Sequence, residues 1–373
     1  MQKKVVDRKI SFEIFFIEDR LKVSILHLSI NCLTFHLFRL YKMLLLLTLI
    51  TPLTNAFPLY QAHEEKSFVS WMRKNNVLYT SDEYNIRFGI YLTNSRYVQE
   101  HNAGNPSFKL SLNQFSTYTP SEYKALLGFK VSTNMLKDLS KNIDKNEDNE
   151  FKISTSCDWR KEGVVNVIKD QGQCGSCWAF SAIQTIESTW AIGTGTLESF
   201  SEQNLLDCFT WACFGCQGGT YFEAFVDIYS RQSGKCNRDS EYPYTATDGN
   251  ECEFKNHSST GKLWKYIHTI NYNDTDVARA CEQYGPIASA MDASHPSFQL
   301  YHSGLYDEPQ CDISYLNHAI GIVGFGVSED TNYFLVRNSW GKSWGEEGYV
   351  RMIWGNNQCG LSSMAYYTVH KLP

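Results

Sequence analysis

The spacing of apolar positions changes twice along this chain, which separates three kinds of segment. The first is a continuous apolar run, Leu44 to Leu53, followed by the small-residue stretch Thr54-Asn-Ala56. With Arg39 and Lys42 as a basic flank, this is the pattern of a secretory signal peptide at residues 43–56. A membrane anchor over residues 23–50 is disfavoured, because no uncharged apolar stretch there reaches about 18 residues. Residues 1–42 fit no targeting pattern, being interrupted by Glu18, Asp19, His27, His36 and Arg39. Two readings stand for them: translation starts at Met43, which is favoured, or Met1 begins an extension.

The second segment has helical spacing. Apolar positions from Glu64 to Met72 and from Asp82 to His101 predict two helices. Ser81-Asp82 marks the expected start of the second, and Asn102-Ala-Gly104 its stop. Ser107 to Phe115 alternates like a strand. Lys137 to Glu150 is polar with two aliphatics, which suits an exposed, cleavable linker.

The third segment begins at Cys157, where glycine, cysteine and aromatics become dense. Trp178 to Ile192 predicts one apolar helix closed by Gly193. Past Ile267, short β-branched and aromatic runs between Gly, Asp and Asn predict strands, most clearly Ile320–Phe325 and Tyr333–Val336. A helical part followed by a sheet-rich part makes the expected class α+β.

Composition narrows the function. Net charge is −6 with no long basic run, so nucleic acid is not an expected partner. Of 12 cysteines, Cys32 alone precedes Cys157. The eleven from Cys157 to Cys359 point to a disulfide-stapled domain made in an oxidising compartment. Their odd number leaves at least one thiol unpaired, a candidate reactive group.

One thiol stands out. In Gln171-Gly-Gln-Cys174-Gly-Ser-Cys177-Trp-Ala-Phe180, Cys177 sits at the head of the apolar helix. There the helix dipole favours thiolate. A nucleophile also needs a base, and the base an orienter. Asn317-His318-Ala-Ile-Gly begins one predicted strand, and Asn338-Ser-Trp340-Gly341 follows the next. Adjacent strands would bring His318 and Asn338 together.

These motifs resemble the papain-like cysteine proteases, whose local signature is Cys-Gly-Ser-Cys-Trp. The resemblance covers roughly residues 57–373. It implies Cys177 as nucleophile, His318 as general acid–base, Asn338 as the imidazole's orienter, Gln171 as an oxyanion donor and Trp340 as a shield over the His–Asn bond. A thiolate–imidazolium pair is expected to persist at mildly acidic pH. Upstream, Glu83, Arg87, Tyr91, Asn94, Val98 and Asn102 share one helix face and resemble the ERFNIN motif of cathepsin L-like propeptides. A second propeptide motif, Gly-x-Asn-x-Phe-x-Asp, is partial: Asn113 and Phe115 are kept, but Ser111 and Thr117 replace Gly and Asp.

The resemblance implies a papain-like two-lobed fold, with a helical left lobe and a β-barrel-like right lobe, preceded by a helical inhibitory propeptide. The expected divisions are an upstream segment at 1–42, signal peptide at 43–56, propeptide at 57–153 and peptidase domain at 154–373. It implies the bridges Cys174–Cys216, Cys208–Cys252 and Cys311–Cys359. The four cysteines left over, Cys157, Cys213, Cys236 and Cys281, allow three pairings; Cys213–Cys236 with Cys157–Cys281 is one hypothesis. Gly218 and Gly219 would let a peptide backbone approach closely. Tyr221, Ala290, Leu316, Ala319 and Met364 match the pocket for the second residue before the scissile bond. None is charged, so bulky apolar or aromatic side chains are expected there. Asn256-His-Ser258 and Asn273-Asp-Thr275 are glycosylation sequons.

No cofactor and no metal are expected. The pairs Cys174-x-x-Cys177 and Cys213-x-x-Cys216 imitate a zinc site, but the surrounding motifs argue against one. Expected partners are protein and peptide substrates, the chain's own propeptide and cystatin-type inhibitors, on a monomeric enzyme in a lysosome, another acidic vacuole or the extracellular space. Two rival classes remain: an inactive homologue serving as a binding protein, and a zymogen whose propeptide acts mainly on other proteases.

Overall fold

The computed structural model describes residues 60–139, 152–209, 213–255, 261–262, 265–268 and 273–369. The expected signal peptide, the upstream segment, residues 140–151 of the linker region and Asn256 lie outside these residues. The chain divides into Met1–Val69 and Ser70–Pro373. In the first unit, the described part holds the start of helix α1 (Ala62–Lys74).

Helix α2 (Ser81–Ala103) is capped one residue earlier than expected. Thr80 is the N-cap, without a side-chain capping bond, and Ser81 has φ +55°. Strand β1 (Phe108–Leu110) is shorter than the alternation over 107–115 predicts. The chain leaves the strand because Asn113 turns back on its own backbone: its Oδ1 accepts from Phe115 N at 3.0 Å, and its N–H donates to Ser116 Oγ at 2.8 Å. Two short helices follow, α3 (Pro120–Leu126) and α4 (Thr133–Leu139). A reciprocal capping box opens α3, Thr119 accepting from Glu122 N while the Glu122 carboxylate accepts from Thr119 N.

From β2 (Cys157–Asp158) the chain runs through α5 (Cys177–Thr194), α6 (Glu202–Cys208), α7 (Tyr221–Arg231), β3 (Lys235–Cys236), β4 (Gly261–Lys262) and β5 (Lys265–His268). Next come α8 (Asp274–Tyr284), β6 (Ile287–Met291), α9 (Pro296–Gln299), β7 (Tyr301–Tyr306), β8 (His318–Ser328), β9 (Thr331–Arg337), β10 (Tyr349–Ile353) and β11 (Tyr366–Val369). Helix α5 is buried on nearly every face, as its even apolar pattern requires. It runs through Gly193, the predicted stop, and ends on Gly195, whose φ of +72° is the left-handed cap.

Nine described strands form one sheet in the order β1-β7-β10-β9-β8-β6-β11-β5, with β2 on β8. The β10–β7 pair is parallel and the others are antiparallel. Two apolar cores result. One gathers Trp178, Ile183, Phe225 and Ile228 around α5; the other gathers Ile322, Val336, Trp344 and Met352 on the sheet. Ser181 on α5 donates to Ile320 O on β8 at 2.7 Å, which fixes the helix against the sheet.

Disulfides join Cys174 to Cys216, Cys208 to Cys252 and Cys311 to Cys359. Cys157, Cys213, Cys236 and Cys281 are thiols in this structure, as is Cys177. Cys213 donates to Thr220 O.

Candidate active site

Cys177 is the first residue of α5 and is fully buried. Its Sγ accepts from Ala319 N at 3.4 Å, so the thiol of the helical core meets a strand of the sheet core. His318 opens β8, and its Nε2 lies 2.8 Å from Asn338 Oδ1, just past β9. The two residues meet because β8 and β9 are antiparallel neighbours. Asn338 Oδ1 also accepts from Ser339 N at 2.8 Å, which aims the oxygen. An oxygen partner requires the proton on Nε2, leaving the Nδ1 lone pair available; Nδ1 is buried with no hydrogen-bond partner. The Trp340 ring lies 4.6 Å from the imidazole, tilted by 32°, and excludes water from that side.

Gln171 is held from both ends of its amide. Oε1 accepts from Ser339 Oγ at 2.7 Å, while Nε2 donates to Cys174 O at 2.7 Å and to Leu126 O at 2.9 Å. Ser339 was not among the residues singled out from sequence, although it lies inside the Asn-Ser-Trp-Gly run that was. The segment before Gln171 is fixed by a buried ion cluster. Lys169 Nζ meets Glu187 on α5 at 3.0 Å and Glu202 on α6 at 2.8 Å.

The segment from Leu126 to Lys130 occupies the cleft. A Cβ at Gly128 would lie 1.7 Å from Gly175 O, so only glycine passes there without displacing backbone. Gly219 N donates to Gly128 O and Lys130 N to Gly219 O, both at 2.9 Å, in a parallel bridge centred on Phe129 and Gly219. At Gly218, φ is +111° and a Cβ would lie 2.5 Å from Gly128 O. The Phe129 ring stacks on Tyr221 at 5.1 Å and shares an apolar cluster with Ala290, Leu316, Ala319 and Met364. Tyr221 is anchored by its hydroxyl, which donates to Met364 O. All five residues expected at the pocket belong to one apolar cluster, which also holds Phe129.

This packing sets the electrostatics. Burial pushes the Cys177 thiol up to about 11, outweighing hydrogen bonds from the Ala319 and Gly128 backbones. Burial pulls His318 down to about 4 against the opposing bond to Asn338. The expected thiolate–imidazolium pair is therefore not held beneath this segment. Loss of water costs both charged forms more than the helix terminus returns to the thiolate.

The upstream helices are tied to the same site. Asn113 Nδ2 donates to Gln299 O and Gln299 Nε2 to Phe115 O, both at 2.8 Å. The Phe115 ring meets Trp340 edge-on at 5.2 Å. On α2, Arg87 grips Glu122 with two nitrogens at 2.5 and 2.6 Å and donates to Thr117 O at 2.9 Å. Asn94 donates to Ser116 O at 2.9 Å, and Asn102 exchanges bonds with Leu110 at 2.8 and 3.0 Å. Thr117 is buried, its hydroxyl 3.0 Å from Tyr79 OH.

Cys174 and Cys216 are bonded to each other, which removes the four-cysteine zinc reading. Among the described residues, Asp292, His295 and Cys311 form a cluster of metal-ligating types, but its sulfur belongs to a disulfide. No described helix is long and apolar enough to cross a membrane.

Comparison with known proteins agrees with this geometry. Residues 153–369 match the family described as papain family cysteine protease, and residues 68–123 match the cathepsin propeptide inhibitor domain (I29). The chain is 37% identical over 309 residues to cysteine proteinase 3 of Dictyostelium discoideum, covering 82% of this chain and 91% of that one. It is 36% identical over 338 residues to procathepsin L of Mus musculus, covering 88% and 98%. The structure of digestive procathepsin L2 proteinase from Tenebrio molitor larval midgut superposes with a TM-score of 0.77 at 31% identity, covering 82% of this chain and 99% of that one. The chain belongs to the papain family of cysteine proteases, on the cathepsin L-like branch, and carries its propeptide inhibitor domain ahead of the peptidase.

Proposed function

We propose that this zymogen yields an endopeptidase that cuts through a Cys177 thioester and prefers a bulky apolar or aromatic residue second before the scissile bond. Phe129 among Tyr221, Ala290, Leu316, Ala319 and Met364 is the observation that carries the preference. In this reading His318 Nδ1 takes the Cys177 proton as sulfur attacks the carbonyl. The Gln171 amide and the Cys177 N–H then receive the oxyanion. His318 returns the proton to the leaving amine, water attacks the thioester, and Asn338 holds the imidazole in one orientation throughout.

Activation removes the propeptide, residues 57–153, and leaves 154–373 as a monomeric enzyme open to protein substrates and cystatin-type inhibitors. A signal peptide at 43–56 would send it to a lysosome, another acidic vacuole or outside the cell. Asn273 is exposed at the N-cap of α8, its Oδ1 accepting from Thr275 N at 2.9 Å, which leaves Nδ2 to carry a glycan. Asn256 is the second candidate.

The test is a set of fluorogenic dipeptides on the processed enzyme, differing at the second position, with epoxide labelling alongside. Phenylalanine and leucine should outpace arginine. A profile led by arginine sinks the pocket assignment, and failure to label Cys177 favours the inactive homologue. Inhibition of other proteases by the proform, without activity of its own, favours the inhibitor class.

A further inference from the structure

Two of the free thiols outside the active site are neighbours. Cys157 lies in β2, which pairs with β8 at Phe325 and Gly324. Cys281 lies on α8 and is fully buried. Cys157 packs against the apolar cluster that holds Cys281, and the proximity of the two thiols moves Cys157 down and Cys281 up from the ordinary value. The same two segments are already joined by Trp159 Nε1 donating to Cys281 O at 2.8 Å, and by Ser154 N donating to Glu282 at 3.1 Å. Cys157 is only half-buried and lines an open cavity of about 480 Å³ with Trp159, Glu282 and Tyr333.

We propose that Cys157 and Cys281 form a fourth disulfide in the secreted protein, clamping the first strand of the peptidase domain to α8. The three bridges already present belong to an oxidising compartment, where adjacent thiols are oxidised. The chemistry is thiol–disulfide exchange with a small-molecule or protein disulfide. Cys157, the accessible member, attacks as thiolate, forming a mixed disulfide and expelling one thiolate of the oxidant. Cys281 loses its proton and attacks the Cys157 sulfur, expelling the second. The pair gives up two electrons and two protons, and the oxidant leaves as two thiols. The asymmetry suits this order, because the neighbouring Cys281 lowers the Cys157 thiol while Cys281 itself is held high.

The clamp has a use after activation. Residues 154–159 lead the peptidase domain, and β2 is two residues long, followed by a single further bond to β8 from Trp159 N to Val323 O at 3.1 Å. A covalent tie at Cys157 would keep that strand seated once the propeptide has gone.

The full chain is secreted from eukaryotic cells, acid-quenched, alkylated under denaturing conditions without reductant, and digested. The Cys157 and Cys281 peptides should appear joined, lighter by two hydrogens than their sum, with Cys213 and Cys236 alkylated. Alkylated Cys157 and Cys281, or Cys157 joined elsewhere, overturns the proposal. Mapping uses the unaltered chain and no activity readout, so it stands apart from the catalytic reading. As a second measure, C281S should lower the melting temperature of the processed enzyme and expose Cys157 to alkylation. An unchanged melting temperature together with an already reactive wild-type Cys157 counts against it.

Discussion

The side-chain amide of Gln171 donates to the main-chain carbonyl of Leu126 at 2.9 Å. The donor proposed for the oxyanion thus serves the inhibitory segment in the proform. Gln171→Ala should lower kcat of the processed enzyme by about a hundredfold to a thousandfold, the usual cost of one such donor. KM for a dipeptide substrate should change little. Steady-state kinetics separate the two parameters.

Gly128 admits no side chain beside Gly175. Gly128→Ala should lift the propeptide from the cleft and produce a leaky proform. Epoxide labelling of Cys177 in unprocessed protein would register this, and labelling as slow as in wild type would count against the packing argument.

Phe129 stacks on Tyr221, whose hydroxyl donates to Met364 O, inside one apolar cluster. Truncation of a buried phenylalanine typically costs about 3 kcal/mol, or roughly a hundredfold in an equilibrium. Phe129→Ala should speed processing of the proform by up to that factor, and Phe129→Leu much less. Time courses at one acidic pH give the comparison.

The Cys177 thiol is raised to about 11 in the proform. At pH 7 the thiolate fraction is then about one in ten thousand. Iodoacetamide should alkylate Cys177 slowly before processing and far faster afterwards, when water and charge return to the site. Equal rates before and after would remove the burial argument.

Arg87 holds the Glu122 carboxyl down at about 2. A depressed carboxylate contributes stability that is full above its unfolded value near 4.5 and is lost as pH falls through about 2. Glu122 is more than a third exposed, so screening reduces that contribution to the order of 1 kcal/mol. Glu122→Gln should destabilise the proform at pH 5 to 7 by about that amount, and the two proteins should converge below pH 2. Melting curves across pH test this. Thr117, which meets Arg87 only through its carbonyl oxygen, brings no carboxylate to this pair, and the pair stays intact at mildly acidic pH.

Much of the site was legible because its residues sit at element boundaries that local pattern reveals. Cys177 heads an apolar run, and His318 and Asn338 flank two β-branched runs. Their convergence follows from strand adjacency. The electrostatics were not legible, since the shifts at Cys177 and His318 depend on what covers them, and Gly128 looks like any loop glycine in the sequence. Helix α3 was missed although Thr119-Pro-Ser-Glu122 spells its cap, because only seven residues follow and periodicity needs more. The end of α5 was misplaced because Gly193 and Gly195 are equally plausible caps until backbone angles separate them. The sequence left Cys157–Cys281 as one pairing among three, because proximity in space is not encoded in spacing along the chain.

The parallel bridge at Phe129 and Gly219 has a kinetic meaning. Coming from its N-terminal side, the inhibitory strand meets Gln171 first and the apolar pocket second. A peptide cut with its second residue in that pocket must travel the other way. Under the proposed preference, the enzyme is silenced by a segment with a favoured side chain but the opposite polarity. Latency does not require a poor fit, and tight occupancy does not lead to self-digestion at that spot. The lock is one of direction, and it lasts as long as the strand stays threaded.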